Sequence, residues 1–255
     1  MDQSIPRQLC FSVDVEWAHP AVLADLLNLF DDAGVCCTLF VTHEGVACGK
    51  HEKGIHPNFR RNGSLFQQLL QEHGDATWLL PEPEVYAYIL NKTRQFAPEA
   101  KGSRSHALFW DSALPPLFAE LGLEYDASVQ IPLIGGLRPW FREHNIVMIP
   151  TWYADHADLV ASYSEFQLNR LPLDTSGLKV FDFHPNLVYI NAPSIPFYQS
   201  TKGFYHNPER LLLARHPGRG LRTLLLDLLE WVVRSGEQTY TLHEINTAVR
   251  RARIP

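Results

Sequence analysis

The sequence lacks several features that would fix its class at once. No apolar run approaches the 18 residues of a membrane-spanning helix. Lys and Arg number 22 against 28 Asp and Glu, so the basic excess of a nucleic-acid-binding protein is missing. The four cysteines show neither CxxC nor zinc-finger spacing, and the first residues lack the basic and apolar regions of a secretory signal. These absences predict a reduced, cytoplasmic protein with no membrane span and no nucleic-acid partner.

The elements that can be predicted alternate between strands and helices. Residues 8–15, 20–34 and 35–42 form a strand, a helix and a second strand, which is a βαβ unit and favours a parallel sheet. Residues 125–163 favour short strands, hairpins and loops, and residues 191–207 favour a surface loop. No repeat and no linker interrupts the chain, so we expect one α/β domain over residues 1–255. The further predicted strands and helices are 101–105, 178–184 and 239–242, and 64–73, 84–96, 113–121, 221–233 and 243–251.

Two acidic residues, Asp14 and Glu16, lie where the first strand ends. Side chains two positions apart share a face of a strand. Functional sites of parallel α/β folds lie at the carboxyl ends of the strands. The pair therefore suggests a metal site, or a base beside a metal. The alternative is that both residues cap the helix that begins near Pro20.

The tripeptide His-Pro-Asn occurs twice, from His56 to Asn58 and from His184 to Asn186. A residue before proline is restricted to extended conformations. Each imidazole is therefore held in a defined direction at the end of a strand, as a metal ligand or a general acid requires. Each Asn could turn the chain or bind a ligand. The alternative is two unrelated turns.

A third short strand ends in Arg104, Ser105 and His106 and precedes an aromatic pair that includes Trp110. By alternation Arg104 and His106 share a face, where the guanidinium could orient a carboxylate and the imidazole could bind metal or substrate. A surface Arg and a turn His are the alternative. Residues 152–158 form a polar and aromatic cluster that could be a sugar-binding wall, although a solvated loop is the simpler interpretation.

The order of these motifs resembles the polysaccharide deacetylases of the NodB homology family, and most of all the WbmS-type members associated with O-antigen biosynthesis. The segment ending in Asp14 and Glu16 resembles the family's first motif, and the segment 51–56 resembles the second, which delivers a metal-binding His. The Arg104 strand resembles the third motif, and residues 181–185 resemble the last, which carries a catalytic His. The resemblance covers nearly the whole chain.

The sequence also departs from the family pattern at two positions. The first motif of the family has two adjacent Asp, a base and a metal ligand, whereas Val15 follows Asp14 here and Glu16 could replace the ligand. The second motif has two His four residues apart, but Arg60 stands four residues after His56. A replacement ligand would be His106 first, or else His184 or Asn58. The metal site is therefore either rebuilt or lost.

The resemblance implies a distorted, incomplete (β/α) barrel that removes an N-acyl group, with acetyl the first expectation, from a sugar precursor in O-antigen biosynthesis. It implies a divalent metal, zinc first and nickel or cobalt otherwise, and an amino-sugar substrate linked to a nucleotide or a lipid. The roles that follow are listed by type: catalytic Asp14, His184 and Arg104; metal-binding Glu16, His56 and His106; substrate-binding Asn58, Trp110 and Asn186. The alternative is a non-catalytic carbohydrate-binding or assembly protein whose metal site has decayed.

Overall fold

A computed structural model describes residues 6–161 and 165–253 of the protein. Within these residues it contains a curved sheet whose strands are short apart from β1, β2 and β9. In chain order the strands are β1 (Gln8–Glu16), β2 (Cys37–Val41), β3 (Glu52–Ile55), β4 (Gly102–Ser103), β5 (Tyr125–Asp126), β6 (Trp140–Phe141), β7 (Val147–Met148), β8 (Tyr153–Ala154), β9 (Leu178–Phe183) and β10 (Thr239–Tyr240).

Helices join most of these strands, as a parallel sheet requires. They are α1 (Pro20–Asp32), α2 (Ser64–His73), α3 (Glu82–Phe96), α4 (Leu114–Glu120), α5 (Asp155–Val160), α6 (Pro185–Tyr189), α7 (Ile195–Thr201), α8 (Pro208–Leu213), α9 (Leu221–Ser235) and α10 (Leu242–Arg253). In the described part of the chain, none of them combines the length and the apolar character of a bilayer span.

The strand order is β6-β7-β5-β4-β3-β2-β1-β9-β8, and β10 pairs with the beginning of β1 before β2 joins it. Every pairing is parallel except that of β6 with β7. The sheet therefore curls into a distorted, incomplete (β/α) barrel, as the sequence analysis predicted. The carboxyl ends of β1, β3, β4 and β9 lie at one end of this barrel, since these strands are parallel.

The side chains of β1 alternate between two environments. Leu9, Phe11 and Val13 pack under the helices in the larger core. Cys10 instead packs inside the barrel, with Phe40, Tyr125 and Val180 from other strands and with Leu242 and Ile245 of α10. Ser12 and Asp14 have the same parity as Cys10 and are also buried. The interior thus changes from apolar at one end to polar at the end where the parallel strands finish.

The prediction was wrong in two segments that were expected to be irregular. Residues 191–207 contain α7 and a 3₁₀ turn over Lys202–Phe204 instead of a continuous loop. Trp152, Asp155 and Asp158, which the simpler interpretation placed in a solvated loop, are buried. The prediction for 125–163 found the short strands but missed α5, and residues 162–164 lie outside the described residues.

Candidate active site

Glu16, His56 and His106 bring three potential metal-binding atoms together at the carboxyl end of the barrel. One ligand atom from each residue lies within 4.8 Å of the others. Glu16 Oε1 is 3.0 Å from His106 Nδ1 and 3.5 Å from His56 Nε2. One carboxylate and two imidazoles are a common zinc donor set that leaves room for further ligands. The structure thus assembles the three residues that the sequence analysis named for this purpose.

Glu16 reaches this position through an irregular end of β1. The pairing of β1 with β2 shifts register between Asp14 and Glu16, and Glu16 has a φ of 50°. The Thr42 hydroxyl donates a hydrogen bond to the Glu16 carbonyl and fixes this conformation. A left-handed conformation costs a non-glycine residue about 1 kcal/mol or more, and such strain is concentrated at functional sites. The distortion turns the Glu16 carboxylate toward the two imidazoles.

The His56 imidazole is buried and has unmet hydrogen-bonding capacity. Its Nδ1 and Nε2 have no hydrogen-bond partner among the described residues. Nδ1 is 3.8 Å from Asp14 Oδ1, and Nε2 faces Glu16. A buried polar atom without a partner is costly, so a site of this kind indicates a missing ligand or ion. The donor set and this unpaired imidazole fit a divalent cation.

Arg104 is the central cation of the site and is completely buried. Its guanidinium donates to Asp14 Oδ1 at 3.0 Å, to Ser12 Oγ at 2.9 Å and also to Asp182. The second terminal nitrogen of the guanidinium, Nη2, donates to Thr151 Oγ1 at 3.1 Å. Fixed, multiple donors of this kind suit a guanidinium better than an ammonium. Arg104 therefore fixes two carboxylates in the polar end of the barrel.

The two carboxyl groups that share Arg104 have opposite pKa shifts. Burial alone raises the pKa of Asp14, but the charges of His56 and Arg104 outweigh it and hold the pKa below its ordinary value. Burial raises the pKa of Asp182, and Arg104 only partly offsets this effect while the charge of Asp14 adds to it. Asp14 is therefore the carboxylate, and Asp182 is the group that more readily keeps a proton. Such a divergence is typical of acid–base sites.

His184 follows β9 and is extended, with φ −108° and ψ 128°, as its position before Pro185 predicted. Its Nδ1 bonds to Asp155 Oδ1 at 2.7 Å, and its backbone N–H donates to Asp155 Oδ2 at 2.7 Å. Burial lowers the pKa of this imidazole, but Asp155 outweighs it, so the pKa lies well above its ordinary value. Its Nε2 is 3.9 Å from Glu16 Oε1 and lies beside the metal-binding group. The arrangement keeps a proton on His184 at this site.

The candidate active site opens into a cavity of about 820 Å³. Its walls come from several elements and combine aromatic, cationic and imidazole side chains. Besides Asp14, Glu16, His106, Asp182 and His184, they include Trp17, Arg60, His156, Tyr198, Lys202 and Tyr205. Burial, followed by the charge of His184, lowers the pKa of His156. The volume is sufficient for a small organic substrate.

The three residues predicted to bind substrate do not line this cavity. Asn58 Oδ1 accepts from the Arg60 backbone N–H and turns its own loop. The Trp110 ring lies against the Arg142 guanidinium, 4.1 Å from the ring centre. Asn186 is buried and its Nδ2 donates to the Tyr205 carbonyl, which positions a segment of the cavity wall. The structure therefore does not support direct contact between these three residues and a substrate.

Two residues of the site, Asp155 and Asp182, were not assigned to it from the sequence. Asp182 had a detectable signal, because an acid inside the buried run of β9 must find a partner. Asp155 was noticed only as part of the polar cluster in 152–158. Its partner His184 is 29 residues away, so no local pattern joins the two.

Fold and site together define an incomplete (β/α) barrel with a polar, imidazole-rich end, and comparison with known proteins gives the family. A model of WbmS-like polysaccharide deacetylases matches residues 11–202, and the chain belongs to that family. No curated protein matches the sequence.

Two solved structures are similar over most of the chain. A Bordetella bronchiseptica protein, named as a polysaccharide deacetylase involved in O-antigen biosynthesis, has 29% identity and a TM-score of 0.72, covering 88% of this chain and 90% of that one. A protein named as a polysaccharide deacetylase from Mycobacterium smegmatis has 16% identity and a TM-score of 0.57, covering 100% and 94%. At that identity the second likeness supports the fold alone.

Proposed function

We propose that this protein is a metal-dependent hydrolase that removes an N-acyl group, acetyl in the first instance, from an amino-sugar precursor of a surface polysaccharide. The observation that carries the proposal is the group formed by Glu16, His56 and His106 beside the Asp14–Arg104 and His184–Asp155 pairs. The role in O-antigen biosynthesis rests on the similarity to the Bordetella protein.

Glu16, His56 and His106 would hold the ion, with zinc the first candidate and nickel or cobalt the others. A divalent ion held there would polarise the acyl carbonyl and lower the pKa of water toward about 7. The negative charge of Glu16 is assured near neutral pH. Burial raises its pKa, but the contacts with His106 and His56 outweigh burial and hold it far below the ordinary value.

Asp14 and His184 would move the protons. Asp14 would accept a proton from the attacking water, because Arg104 keeps it ionised and directed. His184 would donate a proton to the departing amine from Nε2, since Nδ1 is bound to Asp155. The two groups come from different strands and line the same cavity, and side-chain atoms of Asp14 and His184 lie within 4.8 Å of each other, so both could act on one reacting centre.

Arg60 occupies the position of the second His of the family's metal motif. Arg60 lines the cavity but cannot ligate a cation. In our proposal His106 takes the vacant role, since its Nδ1 is the atom nearest to Glu16 Oε1 among the three imidazoles that face it. A non-catalytic binding protein, the alternative from the sequence, would bind no ion at these residues.

Metal content and acetate release test the proposal together. We expect about one zinc, nickel or cobalt ion per chain in the wild type and almost none in Glu16→Ala, His56→Gln or His106→Ala. His73→Ala, at the exposed end of α2, is the matched control and should keep the ion. Circular dichroism checks that each variant is folded. A folded His56→Gln protein with full metal content would contradict the assignment, and a wild type that binds no ion would favour the binding protein.

A further inference from the structure

Two positively charged side chains, Lys202 and Arg60, line the cavity of the candidate active site and have no part in the proposed proton transfers. Lys202 follows α7 in the 3₁₀ turn, and Arg60 lies in the loop after β3. Both line the cavity of about 820 Å³. The cavity's carboxyl groups have other partners, because Arg104 binds Asp14 and Asp182, and the imidazoles surround Glu16.

Lys202 is exposed, but its ammonium has defined neighbours at the cavity wall. Its Nζ donates to the Tyr198 hydroxyl at 2.5 Å. The ammonium also lies 4.1 Å from the centre of the Tyr198 ring and 4.6 Å from that of Tyr205. Asn186 in turn fixes the Tyr205 backbone. A charge held in this way loses little freedom when it binds a ligand.

Neither cation has a carboxylate partner. Among residues 6–161 and 165–253, no Asp or Glu lies within ion-pair distance of Lys202 or Arg60. This is notable in a chain of net charge −6. A cleft lined with unneutralised charge of one sign attracts ligands of the opposite sign.

We infer that Lys202 and Arg60 form an anion subsite and that the amino-sugar substrate carries a negatively charged group, a carboxylate or a phosphate. This inference rests on the proposed function and adds the charge of the substrate to it. Lys202 would act as a fixed point charge, and Arg60 could supply a planar pair of donors, as both anions accept. Tyr198 and Tyr205 position the ammonium and form an aromatic wall beside it.

The subsite also gives the substitution at position 60 a purpose. A His at this place would add a metal ligand, whereas Arg adds a permanent positive charge to the cavity wall. Arg60 thus removes one metal ligand of the family motif and at the same time supplies a contact for an anion. A polysaccharide built from neutral sugars has no group that would use this charge.

Binding measurements on the intact, metal-loaded protein test the inference without requiring turnover. The probes are N-acetylglucosamine, its 1-phosphate and its uronic acid, titrated by calorimetry. We expect at least one anionic probe to bind ten-fold or more tightly than the neutral sugar. Lys202→Met and Arg60→Gln should each raise its Kd roughly 10–100-fold, as loss of a hydrogen bond to a charged group implies, and should raise the Kd of the neutral sugar much less. The probe that loses more affinity identifies carboxylate or phosphate as the source of the charge.

Two variants separate charge from shape. Lys202→Arg keeps the charge and should retain most of the preference for the anionic probe. Lys92→Met is the matched control, because Lys92 also lies over a tyrosine ring, that of Tyr88, but outside the cavity. Equal binding of neutral and anionic probes, no binding of either anionic probe, or an unchanged preference in Lys202→Met would overturn the inference. Deacetylation of a neutral sugar without any anion preference would overturn it while the proposed function stands. If the protein binds an anionic probe but holds no metal, the proposed function is contradicted while the anion subsite stands.

Discussion

His184 and Asp155 are joined by two hydrogen bonds, each 2.7 Å long. One runs between the imidazole Nδ1 and Oδ1, and the other from the His184 backbone N–H to Oδ2. Both carboxylate oxygens thus bind His184, and Oδ1 also accepts a hydrogen bond from the His156 backbone N–H. The aspartate fixes the direction of the ring and the nitrogen that carries the proton, which leaves Nε2 to face the cavity.

Asp155→Asn should therefore slow the reaction without removing the metal. The carboxamide no longer stabilises the imidazolium, so the pKa of His184 falls, and the ring can bind in the wrong tautomer. We expect kcat to fall roughly 10²–10⁴-fold, the effect of removing general acid catalysis. A general acid works while protonated, so the loss of rate at high pH should begin at a lower pH in the variant.

A pH–rate profile on any substrate that the wild type hydrolyses checks this expectation. The control is Asp158→Asn on the same helix, α5, because Asp158 binds Tyr153 and Arg170 and does not contact His184. That variant should lose stability and keep its pH profile. Identical profiles for Asp155→Asn and the wild type would show that Asp155 does not control the proton of His184.

Asp14 and Asp182 are expected to differ sharply although both bind Arg104. Asp14 is the carboxylate that can accept a proton, whereas burial and the charge of Asp14 keep the pKa of Asp182 raised. Asp14→Asn should lower kcat roughly 10²–10⁴-fold with metal content unchanged. Burial raises the pKa of Asp182 to about 7, so this group is about half protonated near neutral pH, and we expect Asp182→Asn to lose less than about ten-fold.

Acetate release and metal analysis on the same two preparations distinguish the outcomes. Loss of metal from Asp14→Asn would make Asp14 a ligand instead of the base. If Asp182→Asn is the slower enzyme of the two, the roles of the carboxyl groups are exchanged.

The parts of the site that the sequence predicted are those that single strands encode. Asp14, His56 and His184 lie at strand ends, where a buried run followed by polar residues is visible in the sequence. Parallel strands bring such ends together regardless of the conformation of the connecting loops. The family resemblance then predicted the barrel, and the comparisons and the structure confirm the family and the fold.

The parts that were missed depend on contacts between distant segments or on misleading local signals. Short strands were expected within residues 125–163, but the bounds of β5 and β7, with two residues each, depend on pairing with neighbouring strands. The segment of α7 was expected to be a loop because it is rich in Ser, Pro, Gly and Tyr, and α6 and α8 were not predicted. Each of these helices has a proline in its first turn, where proline is favourable. Asp155 was missed because nothing nearby in the sequence indicates His184 as its partner.

Arg104 should be important for stability as well as for chemistry. Arg104→Met would leave Asp14 and Asp182 buried without their shared counter-charge. Breaking a buried ionic network by removing one partner costs about 3–5 kcal/mol, and we expect a loss of this size in urea unfolding near pH 7. Adding Asp182→Asn should recover part of the loss, because one of the unpaired carboxyl groups is then absent.

Arg94→Met is the comparison for this measurement. Arg94 is partly buried and donates to the neutral carbonyls of Ala97 and Ala100. Its replacement should cost about 1–3 kcal/mol, as unsatisfied neutral acceptors do. An equal loss in the two variants would show that the carboxylates around Arg104 need no counter-charge in the folded protein.

Asp126 provides a pH test of stability away from the metal-binding group. It is buried at the end of β5, and burial raises its pKa to about 6 even though it accepts hydrogen bonds from the Ser128 N–H and hydroxyl. A carboxyl group whose pKa is higher in the folded than in the unfolded protein stabilises the fold while protonated. Its contribution is complete below the ordinary value of 3.8 and is lost as the pH rises through about 6.

Asp126→Asn removes this titration and keeps a side chain of the same shape. The gap between 3.8 and about 6 corresponds to about 3 kcal/mol. The unfolding free energy of the variant relative to the wild type should therefore rise by up to about 3 kcal/mol between pH 4 and pH 7. The other carboxyl groups are present in both proteins and cancel in this difference. Urea unfolding at a series of pH values measures it, and a flat difference for Asp126→Asn would mean that Asp126 is ionised in the folded protein at no cost.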